Sequence, residues 1–335
     1  MSEAPSIPSV VRKLRSGHRR TLAEMISVVE SSAPSDIEFA RTLIVELSGN
    51  KQSPTRRIAL SGVPGVGKSS MIEALGMYYV SRGDRVAVLT IDPTSHRSGG
   101  SVLGDIVRMP LLSAQPNAFI RSSPSKLELG GTTRSTRESI ALCEAAGFTV
   151  ILVETVGVGQ SEVSVANMVD VFVLLVLPNA GDDVQGIKRG IMEVADIIAV
   201  NKSDLDSAAA RRAKNILTGA LRYMQPPDLS WNPPVLCSSS GVVPDIAMLV
   251  NAIDNYFDHS RNSALTAKRS RQNADWFQSL KQQVVSDAIM KSSLGSDFVQ
   301  TLHNQVGSGT LHPLQAAAIL SEKLLTLFTG HHHDT

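Results

Sequence analysis

Cysteine is scarce in this chain of 335 residues: two occur, Cys143 and Cys237, far apart and in no metal-ligand spacing. That excludes a disulfide framework and suits a reducing compartment. An excess of charge of one sign is also lacking. The formal net charge is +1, so no global field draws the chain to nucleic acid or to an anionic membrane. The short basic run Lys268, Arg269 and Arg271 reads as a solvated helix face. No apolar run approaches the ~20 residues a membrane span needs; the longest, Val171 to Leu177, reads as a buried strand. Met1 to Arg20 lacks the apolar core of a secretory signal, and no internal repeat is visible. These absences together point to a soluble, cytoplasmic protein with neither a nucleic-acid nor a membrane partner. What is present is an ordinary globular balance, 42% hydrophobic and 19% charged, in a length sufficient for one large domain with extensions.

From about Arg57 to Phe257 short β-branched runs alternate with helical stretches. Arg57–Leu60, Val86–Ile91, Phe119–Arg121, Thr149–Val153, Val171–Leu177, Ile197–Val200 and Val235–Cys237 read as strands. Helices are expected at Ser69–Val80, Arg134–Ala146, Val184–Val194, Ala208–Met224 and Ile246–Phe257. The alternation predicts an α/β fold, a mainly parallel, doubly wound sheet covered by helices on both faces. The ends differ. Val10–Leu47 carries apolar residues at helical spacing, and after Ser260 the strand signal stops, with helices expected at Asn273–Leu294, Asp297–His303 and Leu311–Phe328. The expected organisation is a helical extension over 1–50, a nucleotide-binding domain over 51–260, and a helical region with a tail over 261–335.

Gly62-Val63-Pro64-Gly65-Val66-Gly67-Lys68-Ser69 matches GxxxxGK followed by serine or threonine, and it lies after a strand and before a helix. Its glycines let backbone N–H groups, continuing into Ser70, converge on phosphates at a helix N-terminus. Lys68 reaches the β- and γ-phosphates in this arrangement, and the Ser69 hydroxyl binds Mg²⁺. Downstream, Asn201-Lys202-Ser203-Asp204 follows the apolar strand Ile197–Val200. A carboxylate at Asp204 can accept both the N1–H and the 2-amino group of guanine, a pattern adenine does not present. Asn201 would brace the loop and Lys202 would lay its stem along the base. A plain helix start with Asp204 as its N-cap is the bland alternative. Ser238, Ser239 and Ser240 end the last strand, where a second base-contacting loop is expected. Glu154 at a strand end can orient a Mg²⁺-bound water, and the N–H of Gly157 can approach a γ-phosphate. Asp92 and Asp105 are further candidates around Mg²⁺, which takes few protein ligands. Val158 stands where many small nucleotide switches carry a water-orienting glutamine, so intrinsic hydrolysis is expected to be slow.

With these motifs in order the chain resembles the MeaB/ArgK/MMAA family of G3E-type P-loop GTPases. The resemblance is carried by Gly62–Ser69, Asp92–Ser95, Gly99–Asp105, Glu154–Glu162, Gly181–Lys188 and Asn201–Asp204, with Phe119–Arg121 and Leu142–Phe148 adding to it. It implies a homodimeric GTPase, with GTP/GDP and Mg²⁺ as ligands, that binds an adenosylcobalamin-dependent acyl-CoA mutase, methylmalonyl-CoA mutase or a relative. There it would gate cofactor loading and protect the mutase. By the same likeness Asp182, Gln185 and Lys188 fall in a third switch that answers to the mutase, and Lys188 would supply positive charge to the transition state. The chain departs from the family after Ser240, where Gly241-Val242-Val243-Pro244 replaces Gly-x-Gly.

Two other readings compete. A nickel-delivery GTPase would need soft or imidazole ligands close together, whereas the histidines are scattered apart from the tail His331–His333. A kinase would share the phosphate cradle and Mg²⁺ but needs an acceptor pocket, and no catalytic-loop signature stands out.

Overall fold

Alternate residues of each central strand enter two different cores. In the strand Val150–Glu154, Val150 and Leu152 join one apolar cluster while Ile151 and Val153 join the other. In the strand Arg56–Ser61, Ile58 and Leu60 face one way and Ala59 the other. The two-residue period of a strand, with both faces apolar, requires cover on both sides. The computed structural model describes residues 6–48, 55–92, 108–124, 131–155, 161–178, 189–224, 230–260, 264–291 and 295–330.

The strands are β1 (Arg56–Ser61), β2 (Val86–Asp92), β3 (Ala118–Pro124), β4 (Val150–Glu154), β5 (Val171–Val176), β6 (Ile197–Val200) and β7 (Val235–Cys237). They form one seven-stranded sheet in the order β3-β2-β4-β1-β5-β6-β7, with every pairing parallel. The fold class expected from the sequence therefore holds, and the strand bounds agree to within three residues at each end. Chain order reverses at β1, whose neighbours are β4 and β5. In open parallel sheets that switch point opens a crevice at the carboxyl ends of the strands.

The helices are α1 (Ile7–Arg15), α2 (Arg19–Glu30), α3 (Pro34–Ser48), α4 (Lys68–Ser81), α5 (Pro110–Ser113), α6 (Gly131–Ala145), α7 (Ser161–Ala166), α8 (Arg189–Glu193), α9 (Ser207–Leu221), α10 (Val243–Ser260), α11 (Ala264–Lys291), α12 (Gly295–Gly307) and α13 (Pro313–Gly330). Residues of α1, α2, α3, α6 and α9 build one core, and residues of α4 and α10 build the other. Fully buried Leu60, Leu75 and Ile253 each contribute on the order of 1.5–3 kcal/mol by leaving water. Cys143 is buried and Cys237 half-buried, and both are free thiols. Among the described residues no helix is long and apolar enough to cross a membrane.

The chain divides into two compact units, 1–269 and 270–335. Within the first unit the structure corrects one expectation. Lys268 and Arg269 are not a solvated face. The Lys268 ammonium donates to the Asp196 carboxylate at 3.0 Å, to the Tyr256 hydroxyl at 2.9 Å and to the Asp170 carbonyl at 2.6 Å. Arg269 donates twice to the Asp170 carboxylate, at 2.8 and 2.7 Å. Asp170 and Asp196 are almost fully buried, so each needs a paired cation to offset lost hydration. They precede β5 and β6, and the start of α11 is thereby fastened to the amino-terminal ends of those strands. Arg271 alone of the three is exposed.

Candidate functional site

β1 runs straight into the loop Gly62–Gly67, and α4 begins at Lys68. Two glycines in that loop are required by geometry. Gly62 has φ +149°, and a Cβ there would stand 2.4 Å from the Leu175 carbonyl oxygen. Gly67 has φ +97°, and a Cβ there would stand 2.8 Å from the Asn201 side-chain nitrogen. Any larger residue would both strain the backbone and push neighbouring elements apart. Val63, Pro64 and Gly65 are exposed at the loop crest, whereas Val66 is buried beneath it.

Lys68 is buried, and its ammonium donates to the carbonyl oxygens of Gly62 at 2.8 Å and Val63 at 3.2 Å. Burial lowers its pKa below the usual lysine value, against the opposing fields of Glu154 and Glu162. One residue on, the Ser69 hydroxyl donates to Glu154 Oε1 at 2.9 Å. Ser70 is exposed on the same turn. Glu154 is the last residue of β4, not the first residue beyond it, and registers with Leu60 of β1. Next to it the Thr155 hydroxyl donates to Ser61 Oγ at 2.8 Å, a buried bond that ties the carboxyl ends of β1 and β4 together.

The Ser69–Glu154 pair allows a test of whether Mg²⁺ fits. Two adjacent ligand oxygens in an octahedron with bonds of 2.0–2.1 Å lie about 2.9 Å apart, which is the separation seen. Hard oxygen donors at the strand ends suit the ion. Asp92 closes β2, next to β4, where Thr90 registers with Glu154. Asp105 lies outside the described residues, as do Gly157, Asp182, Gln185 and Lys188. Among the described residues no group of three or more histidine, cysteine, aspartate or glutamate side chains is gathered to hold a metal.

The Asn201–Asp204 loop sits on the phosphate loop. Asn201 is buried, and its side-chain amide donates to the Val66 carbonyl oxygen at 2.7 Å. Lys202 has φ +58°, the left-handed conformation that a side chain makes costly, and is the one non-glycine residue with positive φ among those described. That strain, of order 1–2 kcal/mol, is maintained by the bond its ammonium donates to the Gly65 carbonyl oxygen at 2.8 Å. The N–H of Ser203 donates to the Ser238 carbonyl oxygen at 3.1 Å, and the N–H of Ser238 donates to the Val200 carbonyl oxygen at 2.8 Å. The structure thus brings Ser238, Ser239 and Ser240 beside Asn201–Asp204. Ser238 and Ser239 are buried and Ser240 half-buried. The helix that follows, α9, is capped by Asp206, whose carboxylate accepts from the Ala209 N–H at 2.8 Å. Asp204 is exposed and is not the cap. The bland reading of its carboxylate is therefore removed.

Sequence reading gave Glu162 no role of its own beyond a place in the motif. The structure buries it in the first turn of α7, within the field of Lys68. The only local signal was an acid just behind Gly159-Gln160-Ser161.

The profile of the family described as methylmalonyl Co-A mutase-associated GTPase MeaB matches residues 22–293. A probable GTPase of Mycobacterium tuberculosis is 44% identical over 322 residues, 95% of each chain. The mitochondrial methylmalonic aciduria type A homolog of Mus musculus is 41% identical over 316 residues, covering 91% of this chain and 76% of that one. Among solved structures, the crystal structure of LAO/AO transport system kinase aligns with a TM-score of 0.75 at 32% identity, covering 97% of this chain and 99% of that chain. With a phosphate loop joined to the Asn201–Asp204 loop at the carboxyl end of a parallel sheet, this chain is a P-loop GTPase and belongs to the MeaB family of methylmalonyl-CoA mutase-associated GTPases.

Proposed function

We propose that this GTPase is a chaperone switch for an adenosylcobalamin-dependent acyl-CoA mutase, methylmalonyl-CoA mutase or a relative, gating cofactor loading and protecting the loaded enzyme. Family membership supports the partner class, since relatives carry methylmalonyl-CoA mutase and methylmalonic aciduria in their names. The nucleotide part rests on one observation: the bond from Asn201 to the Val66 carbonyl makes the base loop and the phosphate loop a single unit.

In this reading the amides of Gly62–Ser70 receive the phosphates, and Lys68 turns its ammonium from the Gly62 and Val63 carbonyls toward the β- and γ-phosphate oxygens. Ser69 and Glu154 would hold Mg²⁺ directly or through water, with Asp92 and Asp105 in support. When bound, the ion neutralises charge on the transferring phosphoryl group. The Gly157 N–H senses the γ-phosphate. Asp204 accepts from guanine, Lys202 lies along the base, and Ser238–Ser240 close the pocket. Asp182, Gln185 and Lys188 form a third switch, with Lys188 completing the charge around the transition state once the mutase is bound. Slow turnover by the isolated chain follows from Val158 in the water-orienting position.

The chain acts as a homodimer in this account, in the reducing cytoplasm. The exposed Phe277, Val284 and Val285 of α11 lie seven and eight residues apart on one helical stripe, as expected of a surface that another copy covers. Light scattering on the purified chain should return twice the 35.8 kDa mass of one copy.

The test is single-turnover GTP hydrolysis by the isolated protein and by the protein mixed with purified methylmalonyl-CoA mutase. A stable complex and a rate at least tenfold faster in it support the reading. Absence of a complex in either nucleotide state, with an unchanged rate, would overturn it.

A further inference from the structure

β1 and β4 each end an apolar run in a hydroxyl. Ile58-Ala59-Leu60 is followed by Ser61, and Val150-Ile151-Leu152-Val153 by Glu154 and then Thr155. Leu60 registers with Glu154 in the parallel ladder, so the next step along both chains sets Ser61 beside Thr155. By the two-residue period these hydroxyls share the face of Ala59 and Val153. Leu60 and Glu154 take the opposite face, whose apolar cluster includes Met71, Ile72 and Leu75 of α4. Ser61 is 0% exposed and Thr155 1%, and their bond at 2.8 Å satisfies two groups that water does not reach. Alanine and valine would fill the same space at little cost to stability. What the hydroxyls add is a fixed alignment of the two strand ends.

We propose that Ser61 and Thr155 are positioning residues for the metal: their bond holds the end of β4 so that the Glu154 carboxylate stays aimed at the Ser69 hydroxyl. The inference rests on the reading of Ser69 and Glu154 as the Mg²⁺ pair and deepens it by naming what sets their spacing. Glu154 is the last residue of β4, so its backbone is held from one side by the strand and from the other by Thr155 alone. The Thr155 N–H donates to the Leu60 carbonyl oxygen at 3.2 Å, the long end of the range for such bonds. The hydroxyl bond is the tighter of the two. Its other partner, Ser61, directly precedes Gly62, the first residue of the phosphate loop. One bond thus joins the residue after the metal carboxylate to the residue before the phosphate cradle. Ser69 lies in the first turn of α4, at the far end of that cradle, and its hydroxyl meets Glu154 Oε1 at 2.9 Å. Mg²⁺ demands near-ideal octahedral geometry, so a strand end free to shift would weaken the metal far more than the nucleotide. Groups that orient a ligand in this way typically change metal affinity by about 10–100-fold when removed.

The experiment is titration of Mg²⁺ into GDP-loaded protein, read as the metal concentration that half-maximally slows GDP release, together with GDP affinity in EDTA and thermal melting. It compares wild type, Thr155→Val, Thr155→Ser, Ser61→Ala and the double variant Ser61→Ala, Thr155→Val. For Thr155→Val the half-saturating Mg²⁺ concentration should rise about tenfold or more, while GDP affinity in EDTA stays within about twofold of wild type. Thr155→Ser, which keeps the hydroxyl, should restore the wild-type response. The double variant should regain melting temperature, because no buried hydroxyl is left unpaired, yet keep the weakened response to Mg²⁺. That split separates positioning from mere packing. An unchanged Mg²⁺ response in Thr155→Val, or one that recovers along with stability in the double variant, would overturn the inference and leave the metal reading standing. Equal weakening in EDTA and in Mg²⁺ would also overturn it. Should Thr155→Val fail to fold, Ser61→Ala and the double variant carry the same expectations. Glu154→Gln serves as the reference: if it keeps the wild-type response to Mg²⁺, the metal reading and the inference fall together.

Discussion

The side-chain amide of Asn201 donates to the main-chain oxygen of Val66 at 2.7 Å, across 135 positions of sequence. Both groups are buried, so the bond cannot be replaced by water without rearrangement. Asn201→Ala leaves a buried carbonyl without its donor, a cost of about 1–3 kcal/mol. GDP affinity should fall between about fivefold and about 150-fold, and the melting temperature should drop. Fluorescent-nucleotide titration and calorimetry check the two effects separately.

Gly67→Ala should be worse. The new Cβ would meet the Asn201 nitrogen at 2.8 Å in a backbone held at φ +97°, so steric conflict adds to left-handed strain of order 1–2 kcal/mol. Nucleotide binding should be lost. In the double variant Gly67→Ala, Asn201→Ala the steric part is relieved and the strain remains, so the stability loss of the double variant should be smaller than the sum of the two single losses. Additive losses in thermal melts would refute the stated contact.

The ion pairs at the other end of the sheet make a pH prediction. Burial draws the Lys268 ammonium down, but Asp196 and the Tyr256 hydroxyl outweigh it, leaving its pKa above the ordinary lysine value of 10.5. A raised lysine pKa means the folded state holds the proton more tightly, so this stabilisation is complete below pH 10.5 and fades as pH rises through the folded-state value. Lys268→Met should cost about 3–5 kcal/mol at neutral pH by leaving Asp196 buried and unpaired. Lys268→Met with Asp196→Asn should recover part of that, because the asparagine oxygen can still accept from the Phe172 N–H. The gap between wild type and Lys268→Met, followed by denaturant unfolding, should narrow above pH 10.5.

The exposed Asp204 carboxylate is spared from helix capping by Asp206. Asp204→Asn exchanges an acceptor for a mixed donor and acceptor. It should weaken GTP binding by at least tenfold and improve binding of xanthosine triphosphate, whose 2-oxo group accepts where guanine donates. Competition titrations with the two nucleotides check the exchange. Equal losses for both would place Asp204 away from the base.

Much of this was legible in the chain itself, for reasons that differ by element. β6 stood out because four consecutive apolar residues, Ile197–Val200, are bounded by polar turns. The phosphate loop stood out because its chemistry is local: glycine spacing, one lysine and one hydroxyl. The Lys268 and Arg269 pairs were misread because their partners, Asp196 and Asp170, lie 72 and 99 positions away, and a basic run looks the same whether or not it meets buried carboxylates. The short helix Pro110–Ser113 was missed for a similar reason. Its first amides are capped by Glu73 of α4, which accepts from the Leu111 N–H at 2.7 Å. The burial of Glu162 depends on how α7 packs against β1, which no motif states.

The most direct measurement is an equilibrium titration of the purified chain with GTP and ATP analogues that resist hydrolysis, in Mg²⁺. The account predicts micromolar or tighter binding of the guanine analogue and at least a hundredfold weaker binding of the adenine analogue. Equal affinities, or binding of neither, would contradict it.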